Sequence, residues 1–254
     1  LEVRQVEDRW EARDGEGRVG TAHMWDRPDG KRFVWFDPID SESISALCAV
    51  IGSERPVYTL ADVYETGMQR RLAAAGFVGE RYEHDWTLPV AAAAAWDDAA
   101  LAGFTIGPPE RFDMDALRHF DDEVRADMPG LRGWRSDAEF WADEHTGAAY
   151  DPAVHPVAWD PAAERFAGMV RIWMNESGPR LGLVAAARPY RGRGVAAALL
   201  GVAFRVLRER GHAKVATECD AANPGSKALL EKAGGTIVGG TIEFVRHPCE
   251  AERQ

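Results

Sequence analysis

The sequence predicts an α/β protein, an α+β mixed sheet with helices packed between its strands. Three observations lead there. Runs rich in Val, Ile, Thr and aromatic residues alternate with stretches of helical apolar spacing along the 254 residues. Both halves close on the same order, a strand, a helix ending in glycine and a strand pair, as a duplicated unit with a shortened first copy would. An arginine- and glycine-rich decapeptide also joins a strand to a long amphipathic helix in the second half.

In the first half, Val19–Trp25 and Arg32–Phe36 read as strands around the turn Arg27-Pro28-Asp29-Gly30. Ser41 is expected as the N-cap of a helix continuing through Ser43–Ile51. Val57–Leu60 is a strand, and Met68–Ala75 a helix closed by Gly76 in a left-handed C′ position. Phe77-Val78 and Trp86-Thr87-Leu88 form a strand pair. The alanine-rich piece from Pro89 to Leu101 reads as a helical linker.

The second half opens on strand Phe104–Ile106, with helices near Met114–Val124 and Ser136–His145. Strands follow at Val154–Trp159, Arg165–Met174 and Leu181–Ala187. The long helix Gly194–Arg210 places Val195, Leu199, Val202 and Val206 on one face. Strand Lys214–Cys219, helix Pro224–Ala233 and strands Thr236–Val238 and Thr241–Val245 complete it. The expected organisation is a partial domain over 1–90, a linker over 91–101, a complete domain over 102–247 and a tail over 248–254.

Hydrophobic residues make up 46% and charged residues 28%, a globular balance. No run approaches the ~20 apolar residues of a membrane span, and no signal peptide is visible. Three widely spaced cysteines, Cys48, Cys219 and Cys249, argue against a disulfide framework and for a reducing compartment. The expectation is a cytoplasmic protein. A formal net charge of −11 without a basic stripe argues against nucleic-acid binding. It favours cationic partners through the long-range field, or serves solubility alone.

The chemistry concentrates in Ala187-Arg188-Pro189-Tyr190-Arg191-Gly192-Arg193-Gly194-Val195-Ala196. Two glycines beside a first helical turn let backbone approach a ligand closely. The unpaired N–H groups and helix dipole there bind phosphate without a specific side chain. Arg191 and Arg193 add charge-assisted bonds. No Gly-Lys-Ser/Thr follows, which excludes a Walker loop. Gly192, Gly194 and Ala197 formally fit a dinucleotide fingerprint, but too little chain follows for a doubly wound sheet. A second block runs from Thr217 to Gly235: Asn223 reads as an N-cap, Pro224 as N1, and Gly234 as the helix end.

At these residues the chain resembles the GNAT acetyltransferases, whose signature Arg/Gln-x-x-Gly-x-Gly/Ala is met by Arg191, Gly194 and Ala196. The resemblance covers roughly residues 103–246 and is specific around 181–235. It implies a tandem GNAT fold, a truncated N-terminal copy followed by a complete C-terminal acetyltransferase domain. It further implies acetyl-CoA as acyl donor, its pyrophosphate held around Arg191, Gly192, Arg193, Gly194, Val195 and Ala196. The pantetheine arm then lies along Val184, Ala185, Ala186 and Ala187, with a backbone amide near Ala186 or Ala187, best Ala187, facing the thioester carbonyl. Asn223 would contact the arm and Ser226 line its channel. The first half resembles the degenerate copy of tandem members. Its matching segment, Asp37 to Ser43, has neither the glycine pair nor the arginine, and its carboxylates would repel a pyrophosphate.

Many family members carry a Tyr seven residues after the Asn as the acid for the departing thiolate; here that position is Leu230. Glu218, five residues before Asn223, matches a strand Glu that some members use as base, and it also reads as an ordinary exposed strand carboxylate. Glu176 ranks behind it, in a hairpin turn. For the acceptor, Asp121, Asp122, Trp134 and Trp141 are expected to hold an amine by ion pairing and cation–π contact; the other reading is a solvated helix face with core aromatics. His145 and His155 lack neighbours at metal-ligand spacing, so no metal is expected. Cys219 has no recognisable His partner and reads as a small buried residue rather than a nucleophile. The expected partners are acetyl-CoA and the primary amine of a small cationic molecule, a metabolite or an aminoglycoside-like antibiotic, with neither nucleic acid nor membrane, as a monomer or homodimer. Two further readings stay open: an N-terminal acetyltransferase of peptides or proteins, and a non-catalytic acyl-CoA sensor.

Overall fold

The computed structural model describes residues 1–15, 17–37, 40–52 and 54–248. Pro38, Ile39 and Cys249 lie outside them. The chain divides into two compact units, Leu1–Glu83 with the chain from Gly239, and His84–Val238.

The first unit holds strands β1 (Glu2–Val6), β2 (Arg9–Asp14), β3 (Gly17–Asp26), β4 (Arg32–Asp37) and β5 (Val57–Asp62), with helices α1 (Ser41–Ile51) and α2 (Thr66–Ala74). β6 (Val78–Pro89) leaves this unit, and β12 (Thr236–Arg246) returns to it, pairing antiparallel with β5 from Thr241↔Asp62 to Arg246↔Val57. That pairing corrects the expected boundaries: the last strand finishes in the first unit, and the second unit begins at His84. Ile44, Leu47, Cys48 and Leu72 of the helices bury against Val34, Phe36, Ala61 and Phe244 of the sheet. α1 starts one residue earlier than expected at its cap: the Asp40 carboxylate, not Ser41, accepts the Ser43 N–H at 2.8 Å.

β1 and β2 are not among the expected strands: their contribution to the core is sparse, Ala12 with Val3 and Trp10, and is set among charged residues. Glu11 of β2, 4% exposed, is ringed by Arg4, Arg9, Arg13 and Arg18 at 3.2–3.9 Å. The two expected closing strand pairs are single strands, β6 and β12. In β12 Gly239-Gly240 interrupts the apolar pattern, yet Gly240 is needed: a Cβ there would meet the Glu83 carbonyl oxygen at 2.7 Å.

The second unit contains the end of β6, then α3 (Val90–Ala94), β7 (Thr105–Gly107), α4 (Met114–Arg125), α5 (Ala138–Glu144), β8 (Val157–Asp160), β9 (Arg165–Asn175), β10 (Gly178–Ala186), α6 (Val195–Glu209), β11 (Lys214–Asp220) and α7 (Pro224–Lys232). Its strand order is β6-β11-β10-β9-β8-β7. β10 and β11 are parallel and need a crossover, which α6 supplies. The stretch expected as a linker is α3 and a 3-10 turn at Ala99–Leu101, and it is no linker: Val90, Ala93, Ala94 and Leu101 bury in the core with Leu199, Leu200 and Phe204 of α6. Among the described residues, no helix is long and apolar enough to cross a membrane.

Candidate active site

β10 and β11 part company early. Their parallel ladder consists of Arg180↔Ala216 and Leu181↔Thr217, and on the other edge β10 carries a bulge at Gly182, between Leu181↔Ile172 and Leu183↔Arg171. A bulge adds twist and bends its strand, so from Gly182 onward β10 turns away from β11. The gap opens into a cleft of about 370 Å³. Val184, Ala185 and Ala186 line it from β10; Arg191, Gly192, Gly194, Val195, Ala196 and Ala197 from the loop and the start of α6; Asn223, Gly225, Ser226 and Leu229 from α7; Val124, Asp127 and Met128 from the end of α4 and the turn after it.

The start of α6 is built for an anion. Gly192 and Gly194 have φ of +71° and +84°, a region that favours glycine, and a Cβ on Gly192 would meet nothing within 4 Å. No side chain caps α6, and its first amide to bond back is that of Ala198, to the Gly194 carbonyl at 2.9 Å. The N–H groups of Val195, Ala196 and Ala197 are therefore ones the helix cannot satisfy itself, and the dipole adds roughly half a positive charge there. Arg191 donates from Nε to the Ala186 carbonyl at 3.1 Å and from Nη2 to Asp127 at 2.7 Å. Arg188 grips the same carboxylate, and these two guanidiniums hold Asp127 well below the usual carboxylate range. Arg193 is not part of the lining; its guanidinium sits 5.3 Å over the Tyr190 ring.

Asn223 is the N-cap of α7: its Oδ1 accepts the Ser226 N–H at 3.1 Å, and both residues line the cleft. Capping and cleft-lining thus coincide in one side chain.

Ala187 needs correction. Its N–H is already engaged, donating to the Ala167 carbonyl at 2.9 Å. In an antiparallel ladder the residues turned toward the partner alternate, so Ala185 shares Ala187's direction, and Val184 and Ala186 turn theirs into the gap. The Ala186 carbonyl accordingly accepts from Arg191 rather than from a strand. The amides available to a ligand are those of Val184 and Ala186.

Glu218 lies outside the lining, beyond the deep end of the cleft. Arg180 holds its carboxylate in a bidentate pair at 3.0 and 2.5 Å, with both side chains partly exposed. Cys219 is buried beside it, and Cys48 is buried in the first unit, where burial pushes its thiol up to about 12. Leu230 is buried in the core.

The four residues expected to bind the acceptor are occupied with holding their own segment. Asp121 is 1% exposed and bonds Arg125 Nε at 2.7 Å and Arg171 Nη2 at 3.1 Å. Asp122 accepts from the Ser136 N–H and hydroxyl, both at 3.0 Å, which ties the turn before α5 to α4. Trp134 and Trp141 are buried, stacked under the Arg125 and Arg171 guanidiniums at 4.8 and 5.1 Å. Sequence reasoning missed Arg171, a charge in the middle of the otherwise apolar run Phe166–Met174, and that break in the pattern was its available signal. His155 is buried too, which pushes its pKa down to about 3, and its Nε2–H donates to the Ile172 carbonyl at 2.8 Å. Among the described residues no group of His, Cys, Asp and Glu is placed to hold a metal.

The fold and this cleft define an α/β protein with a gap between two parting strands and an uncapped helix start at its edge. Residues 117–235 match the family model described as the acetyltransferase (GNAT) family. No curated protein matches the sequence. Among solved structures, a GCN5-related N-acetyltransferase from Sphaerobacter thermophilus is similar at 17% identity with a TM-score of 0.66, over 98% of this chain and 84% of that one. A tandem GNAT protein from the clavulanic acid biosynthesis pathway is similar at 16% identity with a TM-score of 0.67, over 93% and 81%. A GNAT-family acetyltransferase from Colwellia psychrerythraea aligns at 15% identity, TM-score 0.58, over 94% and 85%. The chain carries a GNAT acetyltransferase domain within a tandem GNAT fold, and the activity of that family is acyl-CoA-dependent acetyl transfer.

Proposed function

We propose that this chain transfers an acetyl group from acetyl-CoA to the primary amine of a small molecule, presented as an ammonium, by direct attack within a ternary complex. The observation that carries the reading is the uncapped start of α6 opening on the gap between β10 and β11, where Val195, Ala196 and Ala197 offer amides to a pyrophosphate. The pantetheine arm then runs along β10 from Ala186 toward Gly182. Val184, deeper than Ala186, offers its N–H to the thioester oxygen, where negative charge develops; losing such a donor typically costs about 2.7–4 kcal/mol of transition-state stabilisation. An ammonium has no lone pair, so a proton leaves before attack, and Glu218 is the base. With Leu230 in the core, the thiolate takes its proton from water.

Release of free CoA thiol from acetyl-CoA against a panel of amines tests this. Acceptor-dependent release with small amines is expected. Release with peptides alone supports the N-terminal peptide reading, and acetyl-CoA binding without release under any acceptor makes the chain a sensor.

A further inference from the structure

Arg180 and Glu218 stand where β10 and β11 part. The ladder ends at Leu181↔Thr217, so Glu218 is the first residue of β11 beyond it, level with the bulge residue Gly182. Across β10, Arg180 lies opposite Trp173 of β9. The Trp173 indole covers Gly182 so closely that a Cβ there would lie 2.6 Å from its Nε1. Guanidinium, carboxylate and indole therefore share one face at the deep end of the cleft. Glu218 is two residues further along than Val184, roughly 7 Å at a strand's ~3.3 Å per residue. The Arg180–Glu218 pair itself has side chains 42% and 33% exposed, a setting in which solvent screening leaves an ion pair weak. A ligand that brings replacement charges separates it at little cost.

We propose that this pair receives an acceptor bearing a carboxylate beside its primary amine, so that the substrate class is free amino acids. The proposal rests on the acetyltransferase reading above. Arg180 turns to the acceptor's carboxylate, keeping the bidentate geometry it has with Glu218, and Glu218, released, takes the ammonium beside the Trp173 ring. Glu218 removes one proton; the nitrogen lone pair forms the N–C bond at the thioester carbon. The C–S bond breaks, the sulfur leaves as thiolate and takes a proton from water, and the hydroxide so formed takes the second proton from nitrogen, leaving the neutral amide. A plain amine offers Arg180 nothing and leaves Glu218 mostly masked, so the base works best when the acceptor carries its own carboxylate.

The experiment compares CoA release for free amino acids and for their decarboxylated amines, in the wild type and in Arg180→Gln, with a thermal melt confirming that the variant folds. The wild type is expected to favour amino acids at least tenfold in kcat/KM. Arg180→Gln is expected to move the two classes in opposite directions, lower with amino acids and higher with amines, because Glu218 is no longer masked. A merely structural loss lowers both. Equal use of both classes by the wild type, an equal fall on both in the variant, or turnover confined to peptides or phosphorylated amines overturns the proposal. Acetyl-CoA that is never turned over with any acceptor removes the acetyltransferase reading and the proposal with it.

Discussion

Glu218→Gln is expected to lower kcat by roughly 10²–10⁴-fold, the range for loss of a general base, with acetyl-CoA affinity unchanged. The argument is positional. The α6 amides and the loop arginines lie at one end of the cleft, and Glu218 lies past the other, outside its lining. Amide replaces carboxylate without changing shape; its oxygen still accepts from Arg180 while its NH2 cannot, so the pair falls from two hydrogen bonds to one. The wild-type rate should rise with pH through one ionisation. Repeating the profile with acceptors of different amine pKa assigns it: a limb in kcat/KM that follows the acceptor belongs to the substrate, and a fixed one to the enzyme. Near-full activity of Glu218→Gln at every pH would remove Glu218 from the chemistry and leave an amine that arrives deprotonated and is only positioned.

Asp121→Ala is expected to destabilise the second unit by about 3–5 kcal/mol, because it strands the Arg171 guanidinium without its closest counter-charge. Arg171 is 1% exposed, and its remaining carboxylate contact, Glu144, is longer, at 3.4 Å. Replacing both members by apolar residues, Asp121→Leu with Arg171→Met, should recover much of the loss, since a buried ion pair and a well-packed apolar pair differ little. Denaturant unfolding of the two variants checks both statements. A loss below about 1 kcal/mol in Asp121→Ala would contradict the anchoring role assigned to this carboxylate.

What the sequence made legible was local grammar. The glycines at 192 and 194, the cap at Asn223 and the helix between them are short-range signals, and these residues do meet around one cleft. What it hid depends on distant partners. Whether Asp121 is free for a ligand is decided by Arg171, 50 positions away, and no helical pattern reports that. Which β10 amides face the gap is decided by one bulge at Gly182; a one-residue slip exchanges the two edges of a strand, and that moved the available donors from Ala187 to Val184 and Ala186. The end of β12 is likewise assigned to the first unit by its pairing with β5, which no adjacent residue encodes. β1 and β2 were invisible because their few core residues, Ala12 with Val3 and Trp10, are too sparse among charged neighbours to show an apolar stripe.

The most direct measurement of the central claim is a calorimetric titration of acetyl-CoA into the intact chain and into Gly194→Asp. Gly194 has φ +84° and space for a Cβ only against Ala100 at 3.3 Å, so an aspartate there strains the turn and aims a carboxylate at the pyrophosphate position. In the first unit the Asp40 carboxylate already occupies the amide end of α1, at Ser43. One equivalent per chain is expected, weakened by roughly tenfold or more in the variant. Two equivalents, or an affinity that Gly194→Asp leaves untouched while the protein stays folded, would contradict the account.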